Sequence, residues 1–236
     1  MEATGPAHGH LDVGCGTGSL ALAAARHGRR VIAVDPDPDM VAMTRGAVST
    51  SGVSLDVLDA GAPTLPLDDG SVDAVTANFV VNHVPDPRSS VRDLARVAAP
   101  SGRVAMTIWP ASPGPHLAAY ANATEEADAV HVPSARLAPE RDFERSPAGL
   151  TDLAEDAGLR TERAEEVHWT WRVTADALLA GIAGGIAGPG RIHQAQTEAV
   201  RARIEERVRE LWAPYSAEDG VLGFPVTAVL VVAVRP

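Results

Sequence analysis

An acid and three glycines at alternate positions, Asp12-Val13-Gly14-Cys15-Gly16-Thr17-Gly18, stand between an extended apolar segment and a run of helix formers. A turn from strand to helix takes Gly where φ is positive and where a ligand must approach the main chain with no Cβ in the way. The helix that starts near Gly18 then points unpaired N–H groups at whatever occupies the turn. Spacing separates the possible ligands. A dinucleotide fingerprint, G-x-G-x-x-G, needs its third glycine where Ser19 stands. A P-loop needs a Gly-Lys-Ser/Thr end, and the chain has no lysine, all 20 basic residues being arginine. The same absence removes a pyridoxal-phosphate Schiff base and any lysine nucleophile. Asp12 is awkward beside a pyrophosphate and suits a ligand with a cationic amino-acid end.

Further polar residues fall where chemistry would use them. Asp35 closes Arg30-Val31-Ile32-Ala33-Val34, a β-branched run of the kind found in buried parallel strands. An acid about 20 residues past a glycine turn is the expected ribose ligand in such folds. Asp59 follows a third short strand, Ser54 to Leu58. His83 lies just beyond a fourth, Val72 to Phe79, which ends at Asn78-Phe79. An imidazole there is able to take a proton from a hydroxyl or amine, or to serve as a structural histidine. Glu165-Glu166 reads as a solvated pair, with no further spacing that suggests a metal.

Asp12-x-Gly14-x-Gly16-x-Gly18 resembles the first motif of the class I S-adenosylmethionine-dependent methyltransferases. The segment from Asp59-Ala60 through Leu65-Pro66-Leu67 to Val72-Asp73-Ala74-Val75 resembles that family's third and fourth strands and their connection, in the manner of its small-molecule members acting in ubiquinone and menaquinone biosynthesis. The resemblance implies S-adenosylmethionine as cofactor, with S-adenosylhomocysteine as product. It places Asp12, Gly14, Cys15, Gly16 and Gly18 around the cofactor, Asp35 on the ribose hydroxyls, and Pro36 and Met40 along the adenine. Asp59 would accept the adenine amino group, the Ala60 N–H would donate to the ring, and the main chain at Asn78 would meet the amino-acid end. A histidine often stands where His83 does, which makes it the candidate base, with His116, His131 and His193 behind it. No metal is implied, because the Asp-Asn pair of the metal-dependent catechol methylators is not found. The implied reaction is methyl transfer to an O, N or C atom of a small molecule, in which the protein mainly aligns the acceptor. A cofactor-binding cyclase or decarboxylase and a non-catalytic module without cofactor are the competing readings; a nicotinamide-dependent oxidoreductase is disfavoured by the glycine spacing.

The elements that must position these residues alternate. Ser19 to His27 is rich in Leu and Ala and is closed by Gly28; a helix starts within Pro36 to Met40; Val91 to Ala98 carries apolar residues at helical spacing and ends at Pro100-Ser101-Gly102; Arg103 to Trp109 is the fifth strand. Five strands alternating with helices require a parallel, doubly wound α/β sheet. The family resemblance extends it to a Rossmann-like sheet of seven strands, mostly parallel with the last antiparallel. Pro110 to Pro147, with an amphipathic piece from Leu117 to Val130, reads as an inserted cap. Beyond it lie a helix from Leu150 to Ala157, a strand from Thr161 to Val173, a small apolar stretch from Ala175 to Ile186 that breaks at Gly184-Gly185 and Gly188-Pro189-Gly190, a surface helix from Gln196 to Leu211 and a final strand from Phe224 to Val234. The expectation is one methyltransferase domain over residues 1–236, with a cofactor-binding half (1–109), the cap (110–147) and a C-terminal half completing the sheet (148–236). Trp109, Tyr120, Trp169 and Trp171 read as core aromatics or as an acceptor pocket.

The formal charge of −11 disfavours nucleic acid as a partner and favours a small-molecule acceptor. No apolar run approaches the roughly 20 residues of a membrane helix, Met1 to His10 does not read as a signal peptide, and a single cysteine, Cys15, fits a cytoplasmic chain. The alanine, arginine and proline bias is of the kind seen where such enzymes serve secondary metabolism. Members of the resembling family usually carry helices before the first strand, so a more open cofactor site is expected here, covered by the 110–147 insertion, by the partner in a homodimer or by residues lost through a misassigned start.

Overall fold

The computed structural model describes residues 2–133, 137–217 and 219–236. Ser134, Ala135 and Arg136 of the expected cap lie outside the described residues. The chain runs β1 (Gly9–Val13), α1 (Ser19–Arg26), β2 (Arg30–Asp35), α2 (Pro38–Ser51), β3 (Asp56–Asp59), β4 (Val72–Asn78), α3 (Pro87–Val97) and β5 (Ala98–Ile108). It continues through α4 (Pro115–Glu126), α5 (Pro147–Asp156), β6 (Arg160–Val173), α6 (Ala175–Ala183), α7 (Ala187–Gln194), α8 (Glu198–Trp212) and β7 (Leu222–Val234). The strands form one seven-stranded sheet in the order β3-β2-β1-β4-β5-β7-β6. The pairs among β1 to β5 are parallel and β7 runs antiparallel to β5, so the expected sheet is the observed one.

Local chemistry sets the helix starts. The Asp37 side chain accepts the Asp39 N–H at 2.9 Å and Pro38 opens α2, where its missing N–H costs nothing. Asp86 and Pro87 repeat the device at α3, with the Ser89 N–H on the Asp86 carboxylate at 3.0 Å. Side chains alternate across the sheet. Leu11 and Val13 of β1 and Val75 and Ala77 of β4 join Leu94 of α3 and Leu150 and Leu153 of α5 in the main core. On the other face Ala21 and Ala24 of α1 pack on Val31 and Ala33. His10 and Asp12, out of phase with Leu11 and Val13, are also fully buried.

The described residues fall into two compact units. The first takes in the chain up to Ala111, Leu137–Val167 and Ala228–Pro236; the second takes in the described part of 112–136 and His168–Thr227. The segment read as a cap is thus divided between the two units. In the second unit Tyr120, Ala123, Ile204, Val208, Trp212 and Phe224 form a separate core. Its indole Trp212 donates to the His116 carbonyl at 3.2 Å, and Gln196 clips Val130 through both main-chain polar groups.

Two elements depart from the sequence reading. β5 begins at Ala98 rather than Arg103, because Ala98 pairs with Val72 before an irregularity carries the register to Ala74 and Arg103. Gly102 permits it, since a Cβ there would lie 2.8 Å from the Ala99 carbonyl. Gly188-Pro189-Gly190, read as a break, lies inside α7: Pro189 sits in the first turn, and a Cβ on Gly190 would fall 2.2 Å from the Gly185 carbonyl carbon.

Candidate cofactor site

The glycine turn leaves the carboxyl end of β1, beside β4, where the sheet order reverses direction and open α/β sheets take ligands. Gly14, Gly16 and Gly18 all have positive φ, +64°, +55° and +83°. Each does a different job. A Cβ on Gly14 would lie 2.4 Å from Val80 Cγ2, and one on Gly18 would lie 2.9 Å from Thr44 Cγ2, so these two let the turn pack inward. A Cβ on Gly16 would meet nothing within 4 Å, so its main chain faces open space. Helix α1 starts at Ser19 with Gly18 as its N-cap, which has no side chain to cap the first turn, and the Ala21 N–H of that turn faces Asp12.

Asp35 holds this turn in place. Its Oδ2 accepts the Gly16 N–H at 2.8 Å and its Oδ1 the Asp37 N–H at 3.0 Å, while the residue is almost entirely buried. Thr44, a residue the sequence reading missed, closes the other side by donating its hydroxyl to the Gly16 carbonyl at 2.7 Å. Cys15 belongs to the wall behind the turn: its N–H goes to the Val34 carbonyl, its own carbonyl accepts the Gly18 N–H, and its buried thiol is pushed up to about 11. Burial is the main cause, so the thiol stays protonated.

Asp59 stands directly opposite Asp35 in the β2–β3 register, and its side chain is exposed. The Ala60 N–H does not face outward as the resemblance implied. It donates to the Asp35 carbonyl at 3.1 Å, continuing the strand ladder for one more residue. Pro36 is exposed beside Gly61, and Met40 is half-buried in the first turn of α2.

At the end of β4 the Asn78 side-chain oxygen accepts the Thr107 hydroxyl at 2.6 Å. Phe79 adopts positive φ, +58°, a conformation that costs a non-glycine residue energy. Its N–H is held by the carbonyl and hydroxyl of Thr107, each at 3.0 Å, and its ring stacks on Trp109 at 4.0 Å. His83 lies in the following loop, exposed, with Nε2 3.3 Å from the Asn82 amide nitrogen. Partial burial, then the charge of Arg145, lowers its pKa, so the ring is neutral near pH 7. His116, His131 and His193 belong to the second unit.

Beneath the turn, Asp12 is 2 % exposed. Its Oδ1 accepts the Thr76 hydroxyl at 2.8 Å, and its Oδ2 is buried without a hydrogen-bond partner. Burial pushes its pKa up to about 7 against the pull of Thr76 and of the Ala21 N–H, and the nearby Asp35 charge adds to the rise. A cavity of about 680 Å³ lies at the opposite ends of the strands, lined by Thr4, His8, Arg29 and Asp73 among others. None of the glycine-turn residues reaches it, and ligands of such sheets bind at the carboxyl ends. Among the described residues no cluster of three or more His, Cys, Asp or Glu side chains is placed to hold a metal ion, and no helix is long and apolar enough to cross a membrane.

Sheet order and the glycine turn define an α/β protein of the Rossmann-like type. Residues 11–106 match the family described as "Methyltransferase domain". A ubiquinone biosynthesis O-methyltransferase of Xanthomonas axonopodis pv. citri is 35% identical over 158 residues, 64% of this chain and 62% of that protein. Over residues 11–106 the chain is thus similar to methyltransferase domains, it is similar over 158 residues to this O-methyltransferase, and it spans 62% of that relative's length. In architecture it is similar to a putative methyltransferase of Bacillus halodurans, with a TM-score of 0.62 at 20% identity, covering 97% of this chain and 92% of that one. The cyclase SpnF is also similar, with a TM-score of 0.58 at 22% identity over 97% of this chain and 74% of that one. These likenesses show the fold alone.

Proposed function

We propose that the protein transfers a methyl group from S-adenosylmethionine to an O, N or C atom of a small molecule. The observation that carries this reading is the pairing of an open main chain at Gly16 with the buried, unpartnered Oδ2 of Asp12 beneath the same turn. Such an arrangement fits a nucleoside with a cationic amino-acid end better than it fits phosphates. Asp35 keeps lone pairs beyond its two main-chain bonds for a ribose diol, Asp59 is the free acceptor for an exocyclic amine, and Pro36 and Met40 supply apolar wall. When bound, the cofactor supplies an electrophilic methyl on a sulfonium, which needs no further activation. What remains for the chain is to orient the acceptor and, for a hydroxyl or amine, to remove its proton. His83 is the base of this reading, neutral and exposed in the loop after β4.

The acidic charge supports a small molecule over nucleic acid as acceptor, and the single cysteine supports a cytoplasmic setting. Calorimetric titration with S-adenosylmethionine, S-adenosylhomocysteine and NAD tests the first step: the first two bind and NAD does not. Transfer of labelled methyl from the cofactor into a metabolite extract tests the second. Absence of affinity for both sulfur nucleosides removes the reading; affinity without transfer to any acceptor leaves a cofactor-binding protein with another reaction.

A further inference from the structure

We infer that His10 and Thr76 are positioning residues for Asp12: with Arg29 they form a buried hydrogen-bond chain of fixed direction that holds one Asp12 oxygen and leaves the other for a cationic ligand. The inference rests on the methyltransferase reading for the identity of that ligand, while the chain itself rests on geometry alone.

Its direction follows from donor counting. The Arg29 guanidinium has only N–H donors, and one of its nitrogens lies 2.9 Å from His10 Nδ1, so Nδ1 accepts. His10 Nε2 must then carry the ring proton, and it faces the Thr76 hydroxyl oxygen at 2.9 Å. Thr76, having accepted there, donates its own proton to Asp12 Oδ1 at 2.8 Å in preference to the Leu11 carbonyl at 3.4 Å. Arg29 is fixed in turn by the Thr4 hydroxyl at 2.8 Å and by the Gly5 carbonyl. All four members are at most 8 % exposed. Neighbouring bonds of one direction polarise each other, and low local dielectric strengthens them.

Charge is consistent with this arrangement. Burial, then the Arg29 charge, lowers His10 to about 4, so the ring is a neutral link. The groups facing Asp12 are the Thr76 hydroxyl of β4, the Ala21 N–H of α1, the Cys15 thiol behind the turn and the Asp35 carboxylate from β2. Of these only Asp35 is charged, and it opposes ionisation of Asp12. Thr76 is therefore the side chain that favours the anion.

Carboxyl carbon shifts of Asp12, followed against pH in ligand-free protein, read the chain without any cofactor. Thr76→Val, close in shape to threonine and suited to a strand, raises the Asp12 midpoint by about one pH unit, and Thr76→Ser restores it. S-adenosylhomocysteine affinity falls roughly fivefold in Thr76→Val at pH 7, and the deficit narrows by pH 8.5, where Asp12 is largely ionised in both proteins. Nitrogen shifts of His10 in the unaltered protein show the Nε2-protonated tautomer, a reading independent of whether any variant folds. An Nδ1-protonated ring, or an Asp12 midpoint unmoved by Thr76→Val, overturns the inference. So does a moved midpoint with unchanged nucleoside affinity, because the chain then positions nothing for the ligand. If the midpoint moves and neither protein binds the nucleoside, the buried chain stands and the methyltransferase reading is what fails.

Discussion

The Gly16 N–H donates to the Asp35 carboxylate at 2.8 Å, so the acid proposed for the ribose also ties the glycine turn to the neighbouring strand. Asp35→Ala then removes a ligand contact and a structural tie together. We expect S-adenosylhomocysteine binding to weaken by roughly 1.5–3 kcal/mol, the cost of charge-assisted hydrogen bonds. Amide exchange at Gly16 and Asp37 in the ligand-free protein rises with it. Asp35→Asn, which keeps one acceptor oxygen, loses less on both counts. An unaltered dissociation constant in Asp35→Ala removes this residue from the site.

The three glycines separate packing from binding. Gly14→Ala drives a methyl group into Val80 Cγ2 and destabilises by about 2–3 kcal/mol, part of which Val80→Ala recovers. Gly16→Ala meets no protein atom within 4 Å, so its stability loss is only the positive-φ cost of about 1 kcal/mol. Its loss of nucleoside affinity is the larger effect, because the added Cβ occupies the open space. Thermal melts and calorimetry on the two variants give opposite rankings if this division is right. Equal affinity of Gly16→Ala and the unaltered protein would place the ligand elsewhere.

Those positions were legible in the sequence because each leaves a local signature: glycine where φ is positive, an acid at the end of a β-branched run, Asp-Pro at a helix start. Thr76 and His10 leave none. The link from His10 through Thr76 to Asp12 depends on β1 pairing with β4 across an intervening helix–strand–helix–strand stretch, in the register Asp12↔Thr76. A threonine and a histidine in strands otherwise look like ordinary strand residues. The α7 misreading has the opposite origin: Gly-Pro-Gly is a strong local break signal, overridden by the tight approach of Gly190 to Gly185. Ala60 lay in a correctly expected segment, but which way its N–H points is set by β2, not by its neighbours in sequence.

His83 should matter for turnover and not for binding. Its neutral form predominates to lower pH than in an ordinary histidine, because partial burial and Arg145 both disfavour the cation. At saturating cofactor the rate with a hydroxyl or amine acceptor therefore holds as pH drops through 6.5 and declines only below the lowered pKa. His83→Gln lowers kcat about a hundredfold or more, flattens that acid limb and leaves nucleoside affinity within about twofold. A pH–rate profile of His83→Gln that superimposes on that of the unaltered protein makes the histidine structural.

Asp12 and His10 place opposite slopes on stability against pH. Asp12 is raised from 3.8 to about 7, so between those values the unfolded chain is ionised while the folded one holds its proton. Its contribution is complete below 3.8 and is lost as pH rises through 7. His10 is lowered from 6.5 to about 4, so its contribution is complete above 6.5 and is lost as pH falls through that window. The two oppose each other from about 4 to 6.5, and above 6.5 only the Asp12 decline remains. Asp12→Asn keeps an acceptor for Thr76 and removes the buried charge, so in urea unfolding of the ligand-free protein it gains on the order of 2 kcal/mol at pH 8 and shows the His10 rise unopposed. It gives up nucleoside affinity in exchange, as expected where a destabilising buried acid is kept for its ligand. A variant no more stable than the unaltered protein at pH 8 would show that the Asp12 carboxylate is not desolvated, and with that the reason to regard its free oxygen as waiting for a cation disappears.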